Sequence, residues 1–249
     1  MNYRKYLFVL ISGLTGLTAS AQFSKGDRMA GANIGSVIYN SGSSDVSVDQ
    51  IGNSTSKSTS YNFILNPSLG WFISNQTAVG ASVNINPGGS KVTYEQNGST
   101  FQSDKNNTFN IGLGGFVRHY LNSSGNLMPY GQFGFNAGVS NLKTEGYLYT
   151  GSNPNATKTT YDGSSSGGFF ANASLQAGFT KMMGENAGLD FFLGYIFSYN
   201  KNTFDKTTLR DIGNNGSIDE TLKNKTTTKF TNHGFLLGVG FQVFLRKKK

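Results

Sequence analysis

The chain has 249 residues, 33 of them glycine, with no cysteine, 14% charged residues, and 21 Lys and Arg against 13 Asp and Glu for a net charge of +8. Glycine is nearly double the roughly 7% of an average protein and charge falls well short of the usual 25% or about that. An apolar content of 37% and a mean hydropathy of −0.31 exclude a bundle of membrane helices, and the missing thiols exclude disulfides, thiolate metal sites, a cysteine nucleophile and a lipidated cysteine anchor.

Residues 1–21 read as a secretory signal peptide. Arg4 and Lys5 supply the positive start, Tyr6 to Thr18 the apolar run, and Ala19-Ser20-Ala21 the small residues that place cleavage between Ala21 and Gln22. The run is shorter than the about 20 apolar residues that a spanning helix needs. Residues 22–249 then form a single domain with a basic tail, Arg246-Lys247-Lys248-Lys249. Taking Arg4 and Lys5 from the 21 basic residues leaves 19 against 13 acidic ones, or +6. These positives make no stripe interleaved with aromatics, so nucleic acid is not an expected partner. Solvated loops and anionic lipid headgroups account for them.

No stretch carries a 3.6-residue apolar period, and eight carry a period of two. The first, at residues 28–40, leads into a Ser-rich segment at 41–59. In the second, Tyr61, Phe63, Leu65, Pro67, Leu69, Trp71 and Ile73 share a face, and a tight turn follows at Ser74-Asn75-Gln76-Thr77. The third, 78–87, precedes a polar segment at 88–106. The fourth sets Phe109, Ile111, Leu113, Gly115 and Val117 against Asn110, Gly112, Gly114 and Arg118, before a short turn at 122–126. The fifth, 129–141, opens onto the polar stretch 142–166. The sixth opposes Phe169, Ala171, Ala173, Leu175, Ala177 and Phe179 to Phe170, Asn172, Ser174, Gln176, Gly178 and Thr180, and turns at 183–186. The seventh has Leu189, Phe191, Leu193, Tyr195, Phe197 and Tyr199 facing away from Asp190, Gly194, Ser198 and Asn200, and precedes the longest polar segment, 201–229. The eighth places Phe235, Leu237, Val239, Phe241 and Val243 opposite Gly234, Gly238, Gly240 and Gln242.

Connections that alternate long and short are those of an antiparallel meander with short turns at one rim and longer loops at the other. The expected fold class is all-β, an eight-stranded antiparallel up-and-down transmembrane β-barrel. Residue size decides which face is inside. A barrel of eight strands has little interior room, so the Gly, Asn, Ser and Gln face fits the bore and the bulky face points to lipid. A soluble ligand-carrying barrel would need the reverse. Trp71, Phe72, Tyr120 and Tyr130 lie near short turns, and Tyr39, Tyr61, Phe109 and Tyr199 near long segments. Two such levels are expected of interfacial aromatic girdles.

Together, the signal peptide, the eight alternating strands and the absence of cysteine resemble the outer-membrane β-barrel family typified by the OmpA membrane domain and OmpX. Pro67-Ser68-Leu69-Gly70-Trp71-Phe72-Ile73 and Val79-Gly80-Ala81-Ser82-Val83 are similar to its second strand, turn and third strand. The resemblance covers essentially the whole chain after residue 21 and is architectural. It implies residence in the cell outer membrane among outer-membrane lipid.

Few ionisable residues fall at barrel depth. Arg118 and Asp190 both lie on polar faces near short turns, so both should enter the bore at that end. An isolated charge there is costly, and the expectation is a direct or water-bridged pair that plugs or gates the lumen. Against it stands the plain alternative of two separately hydrated side chains. Some small barrels deacylate lipid A with a lipid-facing serine and histidine. Of the two histidines, His119 sits at the short-turn end, and His233 at the outer end is followed by Gly234 where that chemistry wants a serine. Asp211-Ile212-Gly213-Asn214-Asn215-Gly216 echoes a calcium loop but has glycine at the third position and Leu222 at the twelfth, so a polar Asn-Gly turn is expected. Gly112-Leu113-Gly114 lies within a strand and opens no helix, so it is no nucleotide fingerprint.

The function expected is therefore a non-enzymatic integral outer-membrane barrel, monomeric, without cofactor or metal. Its structural or surface-interaction role would reside in four long loops, 41–59, 88–106, 142–166 and 201–229, that suit a surface ligand, a glycan or a protein. The alternative is a narrow pore or conduit for small solutes, as in OmpW-like barrels, and a remoter one is a lipid A-modifying enzyme.

Overall fold

Strands with one apolar and one small or polar face can satisfy their backbone groups in lipid only by closing on themselves. The computed structural model describes residues 21–48, 52–122, 124–151, 156–165 and 167–246 and closes them in that way. Its strands are Ala21–Gln22 (β1), Arg28–Val48 (β2), Gly52–Phe72 (β3), Thr77–Gln96 (β4), Ser99–Tyr120 (β5), Ser124–Gly125 (β6), Leu127–Thr150 (β7), Thr157–Ser165 (β8), Gly168–Met182 (β9), Ala187–Ile212 (β10) and Glu220–Leu245 (β11). Residues 1–20, almost all of the expected signal peptide, and 247–249 of the basic tail lie outside the described residues. Ala21 and Gln22, the expected cleavage pair, form β1, which pairs with β6 at the short-turn rim.

Each long strand pairs antiparallel with the next. β8 and β9 are two pieces of one stave: β7 lies along β9 through Leu127–Ser140 and along β8 through Lys143–Thr150, and β10 follows both in the same way. The ring therefore has eight staves. It closes where β11 meets β2, from Leu245 opposite Arg28 to Val239 opposite Ile34. Beyond Ile34 an extra residue enters β2 and its pairing with β11 ends, while β2 stays paired with β3 and β11 with β10.

Inside and outside follow residue size, as expected. Leu113 and Leu237 are each 72% exposed on the outer wall, in a belt with Leu69, Phe135, Leu175, Leu193 and Phe241. The opposite parity, with Asn33, Asn84, Asn110, Gln132, Thr180 and Gln242, is buried. An apolar belt around a closed antiparallel barrel with a polar bore is the architecture of transmembrane barrels of the outer-membrane type, and this chain has it.

One expectation is corrected. The four polar segments expected as loops are mostly strand: β2 and β3 run on to Val48 and from Gly52, β4 and β5 meet at Asn97 and Gly98, and β7–β8 and β10–β11 extend likewise. Strands of 20 to 26 residues far exceed the about 9–11 needed to cross a bilayer, so the ring continues above the belt as tall hairpins. Positive φ at Asn97 (50°) and Gly98 (78°) makes their turn the primed type that suits a two-residue hairpin. Cross-strand polar pairs hold the extensions: Lys57–Glu95 at 2.8 Å, Arg210–Glu220 at 3.0 Å and the Thr203–Thr227 hydroxyls at 3.0 Å.

Candidate functional site

The bore is filled from the short-turn rim upward. At the bottom, Phe23 turns in under the barrel and its ring lies 4.5 Å from that of Phe72, 4.6 Å from Phe244 and 4.9 Å from Tyr120. Met29, Met128, Tyr130 and Met182 belong to the same buried cluster. The segment carrying Phe23 is pinned by Gly26 N–H donating to the Phe72 carbonyl (2.8 Å), by Lys25 N–H donating to Asn75 Oδ1 (3.1 Å), and by β1.

Directly above lies a charged layer. Arg118 Nη1 donates to Asp190 Oδ2 at 2.7 Å, across 72 residues of sequence, and Nε donates to Gln132 Oε1 at 2.7 Å. Nη1 also reaches the Tyr120 hydroxyl at 3.1 Å, and the guanidinium carbon sits 4.0 Å from the Tyr130 ring centre. Asp190 accepts further bonds from the Thr180 hydroxyl (2.6 Å) and Gln242 Nε2 (3.2 Å), and Gln242 Nε2 also reaches Asn33 Oδ1 (3.1 Å). Both charged side chains are essentially inaccessible, at 1% and 0%. Two buried charges here are satisfied by each other and by Gln132, Tyr120, Thr180 and Gln242, which offsets the cost of burying them.

Phe116 and Phe192 form the next layer. Room for them is made by glycine: a Cβ at Gly80 would collide with the Phe116 ring, and one at Gly238 with that of Phe192. Beside and above these rings is a chamber of about 330 Å³ that reaches down to Arg118 and Gln132 and whose lining includes ten asparagines, with Ser68, Ser82, Ser174 and Gln176 among the rest. Asn84 Nδ2 donates to Asn66 Oδ1 (2.8 Å), Asn110 Nδ2 to Asn86 Oδ1 (3.1 Å), and Asn86 Nδ2 to Asn62 Oδ1 (2.5 Å). The chamber leads up through Asn62, Asn86, Asn110, Asn200 and Asn232, residues it shares with a second space of about 330 Å³ between the strand extensions.

The structure brings together Arg118 and Asp190, the two charges placed in the bore from sequence. It divides the aromatic residues assigned to the girdle. Tyr39, Tyr61, Trp71 and Phe109 are exposed on the outer wall, and Tyr199 lies half-buried beside Phe169, with ring centres 6.5 Å apart. Phe72, Tyr120 and Tyr130 are not girdle residues. They are 2%, 0% and 2% exposed, packed inside the lower bore. The reason is parity: Phe72 follows outward-facing Trp71, Tyr120 lies two residues from inward Arg118, and Tyr130 two from inward Gln132.

His233 sits on the outer wall with Nδ1 2.6 Å from the Tyr195 hydroxyl, and His119 lies 3.1 Å from the Thr77 hydroxyl. Asp211 caps its turn by accepting from the backbone N–H groups of Asn215 and Gly216, both at 2.9 Å. Sequence reasoning missed Phe23, Gln132, Thr180 and Gln242. The last three share Arg118's inward parity and were open to discovery by it. Phe23 lies outside any alternating stretch and carried no such signal.

No protein-family model matches the chain, and no curated protein matches it. Among solved structures it is similar to the outer membrane protein OprG from Pseudomonas aeruginosa, at 15% identity and a TM-score of 0.36, covering 88% of this chain and 97% of that one. The outer membrane protein AlkL, solved in lipid bilayers, is similar at 17% identity and a TM-score of 0.34, covering 94% and 97%. The outer membrane protease OmpT from Escherichia coli is similar at 10% identity and a TM-score of 0.33, covering 93% and 98%.

Proposed function

We propose that this protein is a non-enzymatic barrel of the outer membrane, closed at its periplasmic end, which meets its partners from the cell exterior through the open upper bore and the tall strand extensions. The observation that carries this reading is the packed lower bore, where Phe23 lies against Phe72 beneath the buried Arg118–Asp190 layer. Short turns belong on the periplasmic side and long hairpins outside, so the accessible chamber opens outward and ends blind. Function on a rigid barrel concentrates in what it displays, and here the display is hairpins rich in Ser, Thr, Asn and Lys.

The test is conductance of the protein without residues 1–21, refolded in detergent and inserted into planar bilayers, with insertion verified by protease protection. The wild type is expected to stay silent, and a variant combining Phe23→Ala with Asp190→Asn to give discrete current steps. Reproducible steps from the wild type would overturn the closed reading and make the protein a pore.

A further inference from the structure

The chamber above the plug has a chemistry of its own. Each of the eight staves contributes at least one inward asparagine, and register sets three pairs directly opposite one another: Asn33 with Asn66, Asn86 with Asn110, and Asn136 with Asn172. Among the described residues no Asp, Glu or Lys lines the space. The guanidinium of Arg118 at its floor is already engaged by Asp190, Gln132 and Tyr120. On one side the shelf of Phe116, Phe192 and Ile196 is apolar.

We propose that this chamber binds a neutral polyhydroxylated solute of mono- or disaccharide size. The inference rests on the outward-opening, closed-bottomed reading of the barrel. An amide offers both donor and acceptor, and hydroxyl groups are the complementary partner, since each both gives and takes a hydrogen bond. The asparagines only partly satisfy one another, through Asn84 with Asn66, Asn110 with Asn86 and Asn86 with Asn62, and the amides that face the chamber keep donor and acceptor capacity for a solute. A carboxylate or ammonium would be stripped of water here with no counter-charge. An alkane would strip the amides instead. A sugar meets both walls, hydroxyls to the asparagines and its C–H face to the rings. The volume of about 330 Å³ sits at the small end of ligand sites, which run from roughly 300 to 1,000 Å³.

Isothermal titration calorimetry of the refolded barrel tests this with glucose and maltose against glucuronate and glucosamine. Saturable heat is expected from a neutral sugar, with affinity for the charged isosteres at least about tenfold weaker. Gly134→Leu should abolish binding while leaving the folded gel mobility intact. Its side chain would enter the chamber, and the nearest atoms to its Cβ are Ser174 Oγ at 3.3 Å and the Gly115 carbonyl at 3.8 Å. Ser82→Val, which removes the hydroxyl donating to Asn136 Oδ1 at 3.2 Å, is the second variant and should weaken binding about tenfold. Maltose binding better than a long maltodextrin would assign a free solute, and equal binding would assign the end of a polymer. Both outcomes support the chemistry. No heat from any neutral sugar on a verified folded barrel overturns the proposal, as does equal affinity for glucuronate or full binding by Gly134→Leu. Conducting wild-type protein that still binds sugar would refute the closed bottom alone, and a silent barrel without sugar heat would refute this site alone.

Discussion

Asp190→Asn is the most informative single substitution. The 2.7 Å contact with Arg118 corresponds to about 6 kcal/mol of Coulomb attraction at an effective dielectric constant near 20, offset by the desolvation of both groups. The variant keeps the volume but removes the counter-charge, leaving the guanidinium, 1% exposed, among neutral groups that include Gln132, Tyr120 and the Tyr130 ring. Breaking a buried pair in this way costs about 3–5 kcal/mol, whereas replacing both partners by apolar groups costs much less. Urea unfolding in lipid vesicles, followed by gel mobility and far-ultraviolet dichroism, should therefore show that loss for Asp190→Asn. The double variant Arg118→Met with Asp190→Asn should recover at least half of it. A loss below about 1 kcal/mol for the single variant would refute the claim that this pair holds the lower bore together.

Leu113→Arg, at the middle of the lipid belt, should cost about 2–4 kcal/mol by the same unfolding assay, while Thr221→Arg, exposed on the β11 extension, should fall within about 0.5 kcal/mol of the wild type. Phe23→Ala should lower stability by about 3 kcal/mol through loss of three ring contacts, read as a fall in Tm in detergent. No change would mean that the stopper does not stay docked. The hydrogen bond and then the charge of Lys105, 2.7 Å away, hold the Glu145 carboxyl below the usual range, and Glu145 raises the Lys105 ammonium in return. The pair's contribution is thus present at neutral pH. It is lost as pH falls through the depressed carboxyl value, and again as pH rises through the raised ammonium value. In a carbon-detected NMR titration, Lys105→Gln should move the Glu145 midpoint upward, and an unmoved midpoint would refute the pairing in solution.

Much of the barrel is legible in local sequence because the side-chain period of a strand is local. Alternation alone names the staves, their short turns, and Arg118 and Asp190 as lumen residues. The same rule, applied to Tyr120 beside Arg118, would have placed it inside. Reading aromatics by height near the rim without their parity is what misassigned Phe72, Tyr120 and Tyr130. The strand extensions escaped notice because residues 41–59 and 201–229 carry few apolar side chains and no sustained alternation, although the structure buries Phe204. The Asn97-Gly98 pair nonetheless marked one hairpin tip.

What the sequence by itself determined is which face of each strand meets lipid and which meets the bore, since that depends only on residue size and a period of two. What the tertiary structure alone decided is which residues share a height. Asp190 meets Arg118 across 72 residues, an asparagine from every stave reaches one chamber, and Phe23 finds the rim. These depend on the register between strands and on the closing contact of β11 with β2, relations that no single strand encodes.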